Sequence, residues 1–165
     1  MPSMELGRLE RDREPVLLRR ARAADLSALV ALLAADQLGA SRDGADGPDG
    51  LAPYERAFAV IDADPAHLLV VGTLGEDVVA TLQLTVLPGL ARRGASRMQI
   101  EAVRVRSDLR GGGLGEALVA WSVERARGQG CSLVQLTSDK ARTEAHRFYA
   151  RLGFVASHEG FKLHL

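Results

Sequence analysis

The sequence predicts an α+β fold in which a mixed central sheet of about six or seven strands is flanked by about four helices. Strand-like and helix-like segments follow one another in the order strand, one or two helices, three strands, helix, strand, helix and two strands. Two of these strands flank a short Gly-Glu-Asp turn, as in an antiparallel hairpin. A later strand is separated from the preceding strand by a helix, which predicts a parallel pair in the same sheet.

The N-terminal part is expected to supply one strand and two helices. Residues 1–14 are charged and lack a periodic pattern, so we expect a flexible lead-in. Residues 16–22 are predicted to form the first strand, and Asp25 is expected to cap the helix that follows. Residues 39–50 (GASRDGADGPDG) are rich in turn formers, so we expect a mobile loop without a regular element. A short helix is expected over residues 53–61, with the apolar stripe Tyr54, Ala57, Phe58 and Ile61 on one side.

The remaining segments alternate between strands and helices. Each strand is a short run rich in β-branched and apolar residues, and each helix has an apolar stripe that ends at a glycine. The predicted elements are strands at 67–74, 78–87, 98–105 and 131–137, helices at about 114–128 and 141–152, and a closing hairpin at 154–156 and 161–165.

The stretch 98–115, MQIEAVRVRSDLRGGGLG, is the most informative in the chain. A strand leads into a turn with four glycines (Gly111, Gly112, Gly113 and Gly115), and a helix starts within that turn. Unpaired backbone N–H groups at a helix N-terminus attract anions, and glycines let a ligand approach the backbone. This pattern predicts a phosphate-binding turn. A tight turn without a ligand is the alternative.

Two common phosphate motifs do not fit this turn. The G-x-G-x-x-G spacing fails, because Glu116 or Leu118 stands where the last glycine is required. The nucleoside triphosphate loop fails as well, since no Gly-Lys-Ser/Thr follows.

The pattern R-x-x-G-x-G at Arg110, Gly113 and Gly115, preceded by I-E-x-V-x-V in the strand, resembles the acetyl-CoA turn of the GNAT superfamily of N-acetyltransferases. A second segment, AHRFYARLGF over residues 145–154, is similar to the closing motif of that family. The resemblance extends over most of the chain from Val16 onward and implies the GNAT fold. It further implies an enzyme that moves an acetyl group from acetyl-CoA, its co-substrate, directly to a primary amine. The alternative is a catalytically silent GNAT-like module that binds an acyl-CoA for regulation.

The resemblance assigns the catalytic roles to Glu101 and Tyr149. Glu101 would act as a base through water or bind the substrate ammonium, since a carboxylate among apolar strand neighbours is costly to bury without a purpose. A salt bridge to Arg104 or a neighbouring arginine is the alternative. Tyr149 would protonate the departing thiolate, because a phenol and a thiolate have similar basicity. Its alternative is a core aromatic that packs beside Phe148.

The resemblance also implies a set of residues that hold the co-substrate. Backbone atoms of two valines would bind the pantetheine arm and the thioester, where the strand separates from its parallel neighbour. The glycine turn and its arginine would hold the pyrophosphate, although that arginine could equally be a solvated surface charge. The predicted cofactor-binding residues are Val103, Val105, Arg110, Gly111, Gly112, Gly113, Leu114, Gly115, Ser138 and Arg142, and no metal site is expected.

Charges are segregated along the chain. Residues 36–64 hold seven acids against two arginines, whereas residues 90–111 hold six arginines against two acids. An acidic rim would draw a cationic amine, and a basic flank would receive the phosphates of coenzyme A. The alternative is that the loop acids Asp43, Asp46 and Asp49 only keep a mobile loop solvated.

Composition limits the remaining possibilities. The 165 residues carry no net formal charge and are 47% hydrophobic, which predicts one globular domain over residues 15–165 and gives no reason to expect binding to nucleic acid or membrane. The single Cys131 excludes an internal disulfide and a cysteine metal cluster. No apolar run is long enough for a membrane span, so a cytoplasmic protein is expected. The expected partners are a small-molecule or peptide amine acceptor and a second copy of the chain in a homodimer.

Overall fold

The computed structural model describes residues 5–36 and 38–165. Within them it contains six strands, four α-helices and a four-residue helical turn at Ala91–Gly94 (α3), in which Arg92 and Arg93 are left-handed, with φ values of 55° and 60°. This confirms the α+β class and the mixed sheet. The elements are β1 (Glu5–Leu9), β2 (Val16–Arg20), α1 (Leu26–Ala34), α2 (Ala52–Ala63), β3 (His67–Leu74), β4 (Asp77–Leu87), α3 (Ala91–Gly94), β5 (Arg97–Val105), α4 (Leu114–Gly128), β6 (Leu133–Gln135) and α5 (Thr143–Arg151).

The chain forms two compact units. The first ends at Gln135 and holds the whole sheet together with α1 to α4. The second is Leu136–Leu165 and contains α5. None of the described helices combines the length and the apolar character that crossing a lipid bilayer requires.

The sheet follows chain order, from β1 at one edge to β6 at the other. All neighbouring strands are antiparallel except β5 and β6, which are parallel as predicted from the intervening helix. The predicted β3–β4 hairpin is also confirmed, with Leu74 opposite Asp77. Gly75 in its turn has a φ of +56°, a left-handed conformation that glycine adopts without steric cost.

The two faces of the sheet are covered differently. On one face α4 packs on β5, and the sheet contributes fully buried side chains such as Leu82, Met98 and Ile100. On the other face α1 and α2 contact β3 and β4, and Thr81 and Gln83 point toward those helices. This alternation follows from the two-residue period of a strand.

The expected lead-in is wrong for residues 5–9, which form β1 and pair with β2, while residues 1–4 lie outside the described residues. The physical reason is the indole of Trp121 on α4, which lies against β1. A Cβ at residue 7 would stand 2.6 Å from the Trp121 Nε1 atom, so Gly7 lets the two elements approach. The segment ELGRL has no periodic pattern from which this contact could be predicted.

The expectation that residues 39–50 hold no regular element is also wrong, since a 3₁₀ turn spans Gly39–Ser41. The loop is tied to α2 at Tyr54. The backbone N–H of Gly44 donates a 2.9 Å hydrogen bond to the Tyr54 hydroxyl, which in turn donates to an Asp43 carboxylate oxygen at 3.2 Å. The loop is therefore held by a phenol that the sequence pattern assigned only to an apolar stripe.

The predicted closing hairpin is absent, because neither 154–156 nor 161–165 forms a strand in the structure. The large apolar residues Phe161, Leu163 and Leu165 are 93%, 87% and 117% exposed. Alternating apolar residues set a side-chain pattern, whereas a strand also needs a paired backbone. The backbone hydrogen bond here is local, from the Ser157 N–H to the Val155 carbonyl at 2.9 Å.

Asp25 stands at the N-cap position of α1 as predicted, but its carboxylate does not cap that helix. It accepts two hydrogen bonds from the Arg19 guanidinium, at 2.7 and 2.8 Å, and one from the Arg22 N–H at 2.7 Å. Burial alone raises the pKa of the Asp25 carboxyl, but the hydrogen bonds from Arg19 and Arg22 outweigh it and hold the pKa below its usual value. The ion pair therefore joins β2 to the start of α1.

Replacing Asp25 with asparagine should lower the free energy of unfolding by about 2 kcal/mol, because the change leaves a largely buried guanidinium without its charge partner. The stabilisation exists above the unfolded pKa of about 4 and is lost as pH falls through the lowered native pKa. The difference in the free energy of unfolding between wild type and Asp25→Asn, measured by urea denaturation, should therefore become smaller below about pH 4. Asp62→Asn, which breaks the exposed 3.2 Å pair with Arg20, is the matched control and should cost less than about 1 kcal/mol. Equal losses in the two variants would contradict this role.

Candidate active site

Strand β5 carries a bulge in the middle of its pairing with β4. Thr81 lies opposite Arg104 and Gln83 lies opposite Glu101, so β5 uses one more residue than β4 between these two pairs. The extra residue falls beside Ala102, whose φ is +54°, a left-handed value that alanine rarely adopts. The bulge bends β5 and re-aims the side chains that flank it.

Glu101 is an exposed carboxylate at the start of the bulge, next to the buried part of β5. Met98 and Ile100 are 1% and 2% exposed, whereas Glu101 and Ala102 are both exposed. Directly opposed residues on neighbouring strands share a face of the sheet, so Glu101 lies on the face of Gln83, which is covered by α1 and α2. The sequence offered a salt bridge from Glu101 to Arg104 as the alternative. The Arg104 guanidinium instead lies 3.7 Å from the Asp36 carboxylate.

Beyond the bulge, β5 has an edge that β6 does not cover. The β5–β6 pairing runs only from Arg97 opposite Leu133 to Gln99 opposite Gln135. The Arg106 N–H donates to the Val79 carbonyl on β4 at 2.8 Å. Because backbone groups alternate in direction along a strand, the N–H and C=O groups of Val103 and Val105 point to the other edge. This is the strand separation that the sequence analysis expected there.

Two arginines already occupy carbonyls on that edge. The Arg104 guanidinium donates a 2.9 Å hydrogen bond to the Val103 carbonyl, and Arg110 Nε donates a 3.0 Å bond to the Val105 carbonyl. Arg110 thus fastens the start of the glycine turn to the end of β5. The N–H groups of the two valines remain the donors that this edge can offer to a ligand.

The glycine turn ends in an exposed helix N-terminus. Gly111 and Gly113 have φ values of +79° and +80°, and Gly113 is the N-cap of α4 without a side-chain cap. The first intrahelical bond is donated by the Ala117 N–H to the Gly113 carbonyl at 3.0 Å, so the preceding N–H groups of the first turn, at Leu114 and Gly115 among others, have no partner within the helix. A Cβ at Gly111 or Gly113 would meet no atom within 4 Å. The turn is an open cradle of backbone donors that suits a phosphate.

The other predicted residues lie in the second unit. Tyr149, on α5, stacks edge-to-face on Phe148 and Phe154, with ring centroids 5.1 and 5.7 Å away. Arg142 is the N-cap of α5 and its N–H donates to the Asp139 carbonyl at 3.0 Å, while Ser138 is partly buried just before this turn. Their roles toward a ligand stay predictions.

Sequence reasoning missed Ala102 and Gln135. An alanine with positive φ leaves no trace in a hydrophobic pattern, so the bulge could not be anticipated. Gln135 donates a 2.9 Å hydrogen bond to the Gln99 side-chain oxygen at the last β5–β6 pair. The position of this glutamine in the otherwise apolar strand was the only sequence feature that could have indicated it.

Comparison with known proteins identifies the family of the chain. Residues 29–154 match the family model described as the acetyltransferase (GNAT) family. The chain therefore belongs to the GNAT acetyltransferase family, as its motifs suggested.

Solved structures and a curated enzyme extend this comparison. A protein described as a transcriptional regulator from Bacillus halodurans C-125 is 45% identical, with a TM-score of 0.86 over 91% of this chain and 99% of that one. A candidate acetyltransferase from Agrobacterium tumefaciens str. C58 is 30% identical, with a TM-score of 0.77 over 90% of this chain and 99% of that one. The aminoalkylphosphonate N-acetyltransferase of Salmonella typhimurium is 40% identical over 63 residues, which cover 38% of this chain and 41% of that enzyme.

Replacing Gly113 with asparagine should weaken acetyl-CoA binding by about tenfold or more, because a side chain then enters the cradle of N–H donors. Asparagine is chosen since it tolerates the left-handed conformation better than other side chains. Isothermal titration calorimetry measures the affinity, and thermal denaturation measures the stability.

Gly130→Asn is the matched control. Gly130 follows the other end of α4, has a φ of +72° and is equally open, so the conformational cost of asparagine is similar there. Equal acetyl-CoA affinities in the two folded variants would show that the turn does not hold the phosphates.

Proposed function

We propose that the protein transfers the acetyl group of acetyl-CoA directly to a primary amine. The observation that carries this proposal is the continuity of β5 with the glycine turn, which puts an exposed carboxylate, an uncovered strand edge and a phosphate cradle on one segment, residues 101–116. Family membership supports acetyl transfer as the chemistry. The aminoalkylphosphonate in the name of the Salmonella enzyme does not define the acceptor here, because that match covers under half of either chain.

The glycine turn and the strand edge hold the co-substrate in this proposal. The N–H groups of Gly111 to Gly115 bind the pyrophosphate, with Leu114 contributing its backbone donor. The Val103 and Val105 N–H groups on the edge of β5 bind the pantetheine arm and polarise the thioester carbonyl. Ser138 and Arg142 are proposed as further contacts.

Glu101 prepares the acceptor. An amine arrives as an ammonium ion, and it must lose a proton before its lone pair can attack the thioester carbon. Glu101 takes that proton through water or holds the ammonium for deprotonation by solvent. The C–N bond then forms, the C–S bond breaks, and the nitrogen releases a second proton to solvent.

Tyr149 completes the transfer as the proton donor to the thiolate of coenzyme A. The reference pKa values of a phenol and a thiol are close to each other, so the proton moves between such groups without a large energetic penalty. Support comes from its position in the RFYARLGF segment, which is similar to the closing motif of the family.

Replacing Glu101 with glutamine should lower kcat/KM for the best amine by about a hundredfold or more, since a general base contributes about 10²–10⁴-fold. The separate changes in kcat and KM distinguish the two roles of Glu101. Loss of a base lowers kcat, whereas loss of a residue that binds the ammonium mainly raises KM. Release of the free thiol during turnover is the measurement. Glu124→Gln, on the exposed face of α4, is the control and should retain full activity. An unchanged kcat/KM in Glu101→Gln would remove Glu101 from the site.

Replacing Tyr149 with phenylalanine should lower kcat by about 10²–10⁴-fold, since only the proton donor is lost and the ring contacts with Phe148 and Phe154 remain. Acetyl-CoA affinity and thermal stability should match those of the wild type. A variant with normal turnover would make Tyr149 a packing residue. A wild-type protein that binds acetyl-CoA but acetylates no amine would instead be the silent module.

A further inference from the structure

We infer that the acceptor carries a branched aliphatic or single-ring aromatic group beside its amine, and that a cavity between α1, α2 and the sheet receives this group. The inference rests on the proposed function and specifies its substrate. The cavity has a volume of about 120 Å³ and lies entirely within the first unit.

The lining of the cavity is apolar. Leu29 and Leu33 come from α1, Phe58 and Ile61 from α2, and Leu69 from β3. A cavity of about 150 Å³ with a comparable lining binds benzene, so the volume here suits one ring or a branched chain of similar size.

Away from Gln83, which lies at the end of the cavity beside Glu101, the polar side chains of the lining are engaged elsewhere. The Thr81 hydroxyl donates to the Val70 carbonyl at 2.8 Å, and the Tyr54 hydroxyl bonds to Gly44 and Asp43. A charged or strongly polar acceptor group would therefore lose its hydration here without gaining hydrogen bonds, which is costly. An apolar group has no hydrogen bonds to water to lose when it enters the cavity.

One end of the cavity reaches the candidate active site. Ala102, at the bulge, and Gln83 both line it, and Gln83 lies directly opposite Glu101. An amine whose ammonium lies near the Glu101 carboxylate can thus place its apolar substituent against Ala102 and in the cavity. The charge of Glu101 matches the ammonium, and the lining matches the substituent.

Helix α2 is not packed as an ordinary core helix. Tyr54, Phe58 and Ile61 recur on one side at helical spacing, which in a globular protein is normally a buried stripe. Yet no residue of α2 is buried, whereas α1 buries Leu26, Leu29, Val30 and Leu32. Tyr54 and Phe58 pack against the hydrophobic core yet stay only partly buried, so part of the apolar side of α2 faces the cavity.

The acidic rim that the sequence suggested is partly neutralised. Asp36 pairs with Arg104, and Asp43 accepts a hydrogen bond from Tyr54. A polycationic acceptor therefore finds less free negative charge than the sequence count implies. This favours the apolar substituent as the main source of selectivity.

The first experiment measures kcat/KM for a panel of amines with the wild-type protein and acetyl-CoA. Isoamylamine and phenethylamine should exceed ethylamine by about tenfold or more, since each buried methylene raises kcat/KM about fourfold. Spermidine and aminoethylphosphonate should fall below ethylamine. A preference for either charged amine would overturn the inference and leave the proposed function intact. Absence of acetyl transfer to every amine would overturn the proposed function itself.

The second experiment fills the cavity. Ala57 lines it from α2, so Ala57→Phe should reduce kcat/KM for phenethylamine by about tenfold or more while leaving that for ethylamine within about threefold. Ala59→Phe is the matched control, because residue 59 lies on the other side of the same helix and does not line the cavity. If the two folded variants have the same ratio of kcat/KM for phenethylamine to kcat/KM for ethylamine, the inference is overturned. If Ala57→Phe does not fold, the wild-type panel decides alone.

Discussion

The bulge in β5 is the constraint on which the rest of the candidate site depends. One extra residue between the pairs Thr81–Arg104 and Gln83–Glu101 forces Ala102 into a left-handed conformation. A non-glycine residue at positive φ is costly and persists only where its surroundings impose it. The antiparallel pairing of β4 with β5 on both sides of the bulge supplies that support. Without the extra residue, Arg104 and Val105 would be displaced by one position against β4, and their side chains would turn to the other face of the sheet.

The two edges of β5 have different partners. One edge pairs with β4 along nearly its whole length and is rigid. The other edge pairs with β6 over three residues only and then offers backbone groups at Val103 and Val105. Arg110 joins this edge to the glycine turn through the Val105 carbonyl. This hydrogen bond fixes the position of the turn relative to β5. The predicted contact of Arg110 with phosphate stays a prediction.

Most of the sheet could be predicted from the sequence because its strands follow local rules. The β3–β4 hairpin has a short turn and two apolar runs, and the parallel pairing of β6 follows from an intervening helix. Contacts between distant segments were not predictable. Strand β1 depends on the packing of Gly7 against Trp121, and the loop at Gly44 depends on the hydroxyl of Tyr54.

The candidate site divides in the same way. Its glycine turn was readable from the sequence, because glycine spacing and a following helix are local signals. The bulge at Ala102 was not, since strand registry is a property of the pair β4–β5 and alanine gives no hint of positive φ. The apolar cavity was hidden for another reason. The apolar stripe of α2 has the same spacing as that of a fully buried helix, so its incomplete burial is visible only in the structure.

In the proposed function, the edge of β5 and the glycine turn together bind acetyl-CoA through backbone N–H groups. Amide hydrogen exchange, measured with and without saturating acetyl-CoA, tests this binding mode. Slower exchange is expected at Val103, Val105 and residues 111–116, with no change at the opposite end of α4 around Gly130. Protection confined to other segments, with these amides unchanged, would contradict it.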